Sequence, residues 1–130
     1  MMIDSSAILA IVFQEPEAHR MAVAIAGSPD RFMSTVNWLE TLIVAEGRQG
    51  ETSADEALLI LEQLKVVLVP FDERQMYEAR DAWRRYGKGR HPAALNIGDC
   101  CAYASAVVKG EPLLYKGEDF PRTNVERAAW

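Results

Sequence analysis

Short apolar runs, separated by polar or glycine-containing breaks, alternate along this chain between strand-like and helix-like lengths. Met1–Ile3 reads as a strand that runs straight into Asp4-Ser5-Ser6. Ala7 to Phe13 is almost wholly apolar, and Ser5 or Ser6 is a natural N-cap for a helix over it. Glu15-Pro16-Glu17 breaks that helix and opens a second over Ala18 to Ala26, with Pro16 in the first turn and Gly27-Ser28-Pro29 as the stop. Arg31 to Ser34 is a short strand. From Val36 to Arg48, the residues Val36, Leu39, Leu42 and Ile43 recur at helical spacing and predict a buried stripe. Glu40 lies one step off that stripe, and Gly47 and Gly50 end the helix.

Ser53-Ala54-Asp55-Glu56 has the form of a capping box and predicts a helix to Leu64. Val66 to Pro70 is β-branched and does not alternate, which predicts a strand buried on both faces. Asp72 caps a helix over Glu73 to Tyr86, and Gly87-Lys88-Gly89-Arg90-His91-Pro92 is a flexible basic loop. Asn96-Ile97-Gly98-Asp99 then opens an alanine-rich helix to Lys109, closed by Gly110. A last strand, Pro112 to Tyr115, leads to the turn-rich tail Lys116–Asn124. Strands alternate with helices and no hairpin signal joins neighbouring strands. The prediction is an α/β fold with a parallel sheet covered by helices on both faces, in one domain spanning 1–130.

Composition narrows the function classes. The mix of 49% hydrophobic and 25% charged residues is that of a soluble globular domain. No apolar run approaches the roughly 18 residues needed to span a bilayer. The start Met1-Met2-Ile3-Asp4 has no basic n-region, so neither membrane association nor a signal peptide is expected, and a cytoplasmic location is. The net charge of −5 argues against broad non-specific nucleic-acid binding while leaving room for a local basic patch. The two cysteines, Cys100 and Cys101, are neighbours and read as small core residues rather than a bridge or a zinc site.

The candidate chemistry lies in the acids. In an open parallel sheet, sites form at the carboxyl ends of strands. Asp4 follows the first strand, Glu40 lies one turn into the helix after the second, Asp99 opens a helix, and Asp119 follows the last strand. A helix N-terminus favours the Asp99 carboxylate through its free N–H groups and dipole. Crowded carboxylates repel, and a hard divalent cation removes that penalty. Mg²⁺ or Mn²⁺ takes oxygen ligands, keeps several waters and binds substrate phosphate oxygens, which points to phosphodiester hydrolysis. On spacing alone, the alternative that these acids are caps and surface charges stays open.

The chain resembles the PIN-domain ribonucleases, and in particular the VapC-type toxins of toxin–antitoxin pairs. The resemblance covers essentially the whole sequence. It is carried by Ile3-Asp4-Ser5-Ser6-Ala7-Ile8-Leu9-Ala10, by Glu40, by the long stretch Arg85 to Cys100, and by Leu113-Leu114-Tyr115-Lys116-Gly117-Glu118-Asp119-Phe120. It implies a three-layer α/β/α PIN fold and a Mg²⁺-dependent endoribonuclease, with Mn²⁺ as a possible substitute. Asp4 and Asp99 then correspond to the principal metal ligands, with Glu40 and Asp119 holding the metal through water or orienting the attacking water. Ser6 corresponds to a small hydroxyl residue supporting the first acid, and Asn96 steadies its loop in the same way. The family's last motif often ends in Thr-Asp, whereas this chain has Thr123-Asn124. If that residue serves the site, an oxygen ligand remains there but charge is lost. Between Glu118 and Asp119, the residue before Phe120 is the one expected to face the metal.

Arg80, Arg84, Arg85, Lys88 and Arg90 crowd one short segment of an otherwise acidic chain. Arg84, Arg85, Lys88 and Arg90, together with Lys116 beside Asp119, are candidates to hold the RNA backbone. A solvated helix face or a docking surface for an acidic partner is the alternative. His91 is expected in a loop or RNA contact rather than as a general base, and His19 on a helix surface. Trp38, Trp83 and Trp130 read as core or partner contacts rather than base-stacking platforms.

Two other functions compete: a housekeeping PIN-domain nuclease in RNA processing, and a non-catalytic RNA- or protein-binding PIN-like module. A haloacid-dehalogenase-type phosphatase needs a second Asp two residues after the first, where this chain has Ser6. The expected partners are RNA, a small VapB-like antitoxin covering the acidic pocket, and a second copy. The helices after Ser6 and around Leu58–Leu64 offer surplus apolar surface for such a homodimer.

Overall fold

Four short parallel strands form the centre of the computed structural model, which describes residues 1–130: β1 (Met2–Ile3), β2 (Phe32–Ser34), β3 (Val67–Val69) and β4 (Leu113–Leu114). Their order is β3-β2-β1-β4, with Met2 opposite both Phe32 and Leu113. The crossovers are helix pairs: α1 (Ser5–Val12) with α2 (Ala18–Gly27), α3 (Thr35–Gln49) with α4 (Glu51–Gln63), and α5 (Glu73–Tyr86) with α6 (Ile97–Lys109). Because β1 has β2 on one side and β4 on the other, the chain reverses direction across the sheet at β1. That is where an open parallel sheet leaves a crevice at its carboxyl edge.

Successive strand residues point to opposite faces, and the two cores divide accordingly. Met2 and Leu113 pack with α5 and α6 around Leu95 and Tyr103. Ile3, Met33 and Leu114 pack with α1 to α4 around Ile8, Met21, Ile25 and Trp38. The result is the expected three-layer α/β/α arrangement. Cys100 and Cys101 are buried free thiols, and no helix is long and apolar enough to cross a membrane.

Several local expectations fail for identifiable reasons. The cap of α1 is Asp4 itself, which accepts a hydrogen bond from the Ser6 N–H, so the helix begins at Ser5. Pro16 stands ahead of α2 rather than within its first turn, and Gly47 lies inside α3. The buried face of α3 consists of Asn37, Trp38, Thr41 and Ala45, leaving Leu39 and Ile43 57% and 62% exposed. The helix is rotated to bring Asn37 inward, so Leu39 and Ile43 face out while Val36 and Leu42 stay packed against the cores. The Ser53 capping box does not form. Gly50, at φ +85°, lets α4 restart at Glu51, and Ser53 is buried within the helix. Strand β3 is an edge strand with Val67 and Leu68 exposed, not one covered on both faces.

The opposite edge is closed by the C-terminal tail. Glu126 to Ala128 runs parallel to β4, with the Leu113 N–H donating to the Glu126 carbonyl (2.8 Å) and the Ala128 N–H to the Leu113 carbonyl (2.9 Å). Asp72 caps α5 and Gly110 closes α6 as expected; the structure adds that Asp72 does so in a capping box with Gln75 and that Gly110 is left-handed.

Arg31, just before β2, fastens two helix ends at once. Its guanidinium donates to the carbonyls of Ala26 (2.7 Å), Ser28 (2.8 Å) and Leu64 (2.8 Å). These carbonyls belong to the ends of α2 and α4, where the backbone lacks intrahelical donors. Replacing Arg31 by Ala is expected to lower unfolding free energy by about 2–3 kcal/mol, the range for hydrogen bonds to a charged donor. Urea denaturation checks this, and an unchanged midpoint would refute the clamp.

Candidate active site

Four acids approach one another at the carboxyl edge of the sheet, each set by a different element. Asp4 ends β1 and caps α1. Its Oδ2 accepts from the Ser6 N–H (3.0 Å) and the Ser6 hydroxyl (2.5 Å), while its Oδ1 is buried with no hydrogen-bond partner. The same Ser6 hydroxyl accepts from the Lys116 N–H (3.0 Å), joining the start of α1 to the loop after β4. Burial pushes the Asp4 carboxyl up to about 6, against the pull of the Ser6 hydrogen bonds and with added repulsion from Glu40.

Asp99 sits in the first turn of α6, where it forms a reciprocal cap with Asn96. The Asn96 Oδ1 accepts from the Asp99 N–H (2.8 Å), and the Asp99 Oδ2 accepts from the Asn96 N–H (2.9 Å). Despite that favourable hydrogen bond, its carboxyl is pushed up to about 7. Desolvation is the main cause, and the charges of Asp4, Asp119 and Glu40 add to it. Asp99 therefore feels the charges of the other three acids, and Asp4 that of Glu40. Asp119 precedes the short 3-10 turn Phe120–Arg122 and stays exposed. Its neighbour Glu118 acts instead on Tyr115.

Glu40 is held by residues that the sequence did not single out. The Ser5 hydroxyl donates to its Oε2 (2.6 Å). Asn37, fully buried one turn earlier on α3, donates from its Nδ2 to the Gly98 carbonyl (3.0 Å) and, at 3.4 Å, to Glu40 Oε2. The Asn37 Oδ1 accepts from the Ser34 hydroxyl (2.9 Å) at the end of β2. Gly98 completes the arrangement by lacking a side chain. A Cβ built there would lie 2.5 Å from Glu40 Oε1, so any side chain at this position would push the Glu40 carboxylate from its place. The i, i+3 spacing of Asn37 and Glu40 is the one sequence signal that could have linked them.

No three Asp, Glu, His or Cys side chains close into a ready-made metal cage. The donor set nevertheless fits a Mg²⁺-like ion, which is bound through one or two carboxylates and retains waters. The unbonded, buried Asp4 Oδ1 and the desolvated Asp99 carboxylate are the oxygens with most to gain from a cation.

The profile of the family described as "PIN domain" matches residues 1–126. A ribonuclease VapC of Mycolicibacterium smegmatis is 52% identical over 125 residues, covering 96% of this chain and 97% of that one. The chain belongs to the VapC family of PIN-domain proteins. Ribonuclease VapC30 of Mycobacterium tuberculosis is 46% identical over 129 residues, covering 99% and 98% of the two chains. Among solved structures, the fold is similar to Mycobacterium tuberculosis VapC20, described as a sarcin-ricin loop cleaving toxin. That match has a TM-score of 0.77 at 17% identity and covers 95% of each chain. It is also similar to VapBC2 from Rickettsia felis bound to a promoter DNA fragment, with a TM-score of 0.72 at 12% identity and coverage of 97% of this chain and 94% of that one.

The remaining candidates of this PIN domain are more dispersed. Asn124 does not join the acids by hydrogen bond. Its Oδ1 is taken by the hydroxyls of Tyr103 (2.6 Å) and Tyr86 (3.2 Å). Lys116, expected to meet phosphate, points its ammonium at Glu15 (2.5 Å) and Glu17 (3.0 Å). Arg85 pairs with Glu78 and lies over the rings of Tyr86 and Tyr103. Arg84, Lys88 and Arg90 form no ion pair, and Arg90 stacks 4.0 Å from the Trp83 ring. The basic loop is closed rather than loose: the Lys88 N–H donates to the Leu95 carbonyl, and the Leu95 N–H to the Tyr86 carbonyl. His91 accepts from the Ala93 N–H and packs edge-on against Tyr86. Trp38 is in the core, whereas Trp83 is 43% exposed.

The raised carboxyls have a stability consequence. Between about pH 4 and pH 7, the native metal-free protein binds more protons than the unfolded chain, so stability falls as pH rises through that window. Asp99→Asn removes its share of that loss. In thermal melts with chelator, the variant is expected to melt above wild type at pH 8, with the gap closing toward pH 4. Equal melting at pH 8 would contradict the crowded-carboxylate picture.

Proposed function

We propose that the chain is a metal-dependent endoribonuclease, using Mg²⁺ or Mn²⁺, and the toxin of a VapBC-type pair. The observation that carries this reading is the buried, unbonded Asp4 Oδ1 among carboxylates that raise one another's proton affinity. Such an arrangement is costly unless a cation joins it. The identity of the chain to proteins named VapC ribonucleases supports the same reading.

Asp4 and Asp99 would hold the ion. When bound, it supplies Lewis-acid stabilisation of the phosphodiester and a nucleophilic water at neutral pH. Ser6 and Asn96 fix the two ligand carboxylates in place, each through a short hydrogen bond to its acid or that acid's N–H. Glu40, oriented by Ser5 and Asn37, accepts a hydrogen bond from the attacking water. Exposed Asp119 closes the pocket on the solvent side. Arg80, Arg84, Lys88 and Arg90 carry no ion pair and would take RNA phosphates, with Arg85, paired to Glu78, as a further candidate. A VapB-like antitoxin would cover the carboxylate pocket. The exposed Leu39, Ile43, Leu58 and Leu59 of the packed helices α3 and α4 would serve a second copy of the chain.

Cleavage of single-stranded RNA is expected with Mg²⁺ or Mn²⁺, abolished by chelator and by Asp4→Ala or Asp99→Ala. Full activity of the Asp99→Ala protein would sink the site assignment. Charge reversal of Arg84 and Arg85 together is expected to weaken RNA binding and lower the slope of log affinity against log salt by about 1–2. Titration by fluorescence anisotropy at several salt concentrations reads this. An unchanged slope would assign the patch to partner docking.

A further inference from the structure

Ile97, the first residue of α6, is 84% exposed although it is a large apolar side chain two residues before Asp99. Nothing in the packing of α6 calls for it. It forms one wall of a groove of about 490 Å³ between α5 and α6, whose other apolar walls include Phe71, Met76 and Trp83. Arg80 and Lys88 also line the groove, and no acid does, in a chain of net charge −5. Asn96 lines it too, and Asn96 is the residue locked to Asp99. The groove therefore begins where the carboxylate pocket ends.

Trp83 is held rigidly for a residue so exposed. Its indole lies over Gly87, where a Cβ would come within 2.4 Å of Cδ1, and the Arg90 guanidinium rests 4.0 Å from the ring centroid. A fixed aromatic wall with a cationic rim fits a flat apolar group that carries an anion, which is the chemistry of a nucleotide.

We propose that this groove takes one unstacked base of the RNA strand, next to the phosphate cleaved at Asp99. Trp83 and Ile97 hold the base, and Arg80 and Lys88 hold the flanking phosphates. The groove then sets the register of the strand at Asp99, because one splayed base seated in it fixes which phosphate lies beside the carboxylates. This rests on the ribonuclease reading given above. An acidic peptide with an apolar anchor is the rival occupant, and the shared Asn96 wall favours the strand that must pass Asp99.

The test compares wild type, Trp83→Ala, Ile97→Ser and Asp99→Ala. Binding is measured with fluorescein-labelled single-stranded RNA 12-mers of each base in chelator. Cleavage positions are mapped on a mixed-sequence single-stranded RNA with Mg²⁺. Trp83→Ala and Ile97→Ser are expected to bind about 10- to 100-fold more weakly, the loss of one base–aromatic or base–apolar contact, with an unchanged salt slope. Their cleavage pattern is expected to spread to more positions. Ile97 is exposed enough that its serine variant folds normally, so a misfolded Trp83→Ala does not blunt the test. Unchanged affinity and cleavage positions in Ile97→Ser, with cleavage still lost in Asp99→Ala, would overturn the groove and leave the nuclease standing. The same result joined to loss of binding to an acidic apolar peptide would assign the groove to that partner. Absence of Asp99-dependent cleavage in wild type would overturn the nuclease reading itself.

Discussion

Like charges gathered in a place that water reaches poorly are the constraint on which this structure turns. Asp4 and Asp99 would be cheaper to keep in solvent, yet both sit where the sheet and two helix starts exclude water. Folding tolerates them because the hydrogen-bond donors that α1 and α6 leave unpaired at their N-termini are turned on these carboxylates. The two cores on either face of the sheet supply the remaining stability.

The support around Glu40 works by a different means. The side-chain amide of Asn37 ties the end of β2, Glu40 on α3 and the start of α6 together through three hydrogen bonds, and its backbone N–H adds a fourth to Ser34. A buried amide in the first turn of a helix is unfavourable unless satisfied, and here each of its polar atoms has a partner. Asn37 therefore explains why α3 is rotated as it is, and why Leu39 and Ile43 end up facing outward. The polar requirement of the site overrides the apolar stripe of the helix.

That override shows where the sequence was readable. The alternation of strands and helices, the Asp72 and Gly110 caps and the strand-end placement of the acids depend on local chemistry, and each follows from neighbouring residues. The exposed edge of β3, the restart of α4 at Glu51 and the covering of β4 by the tail depend on what lies alongside, which local pattern does not encode. Within the site, the four acids were visible because strand ends are privileged positions. Ser5, Asn37 and Gly98 were not, because a serine, an asparagine and a glycine become specific only when another element approaches. Asn124, which motif position associated with the acids, has its oxygen taken by two tyrosine hydroxyls, one on α5 and one on α6, a pairing that only the fold brings about.

The reciprocal bond between Asn96 and Asp99 has one more consequence. The same two hydrogen bonds cap the helix and hold the acid, so α6 cannot fray at its first turn without releasing the carboxylate. Local opening and loss of the acid's orientation become one event with one free energy. Slow amide exchange at Asp99 would then be a direct meter of how much of the time the carboxylate is held.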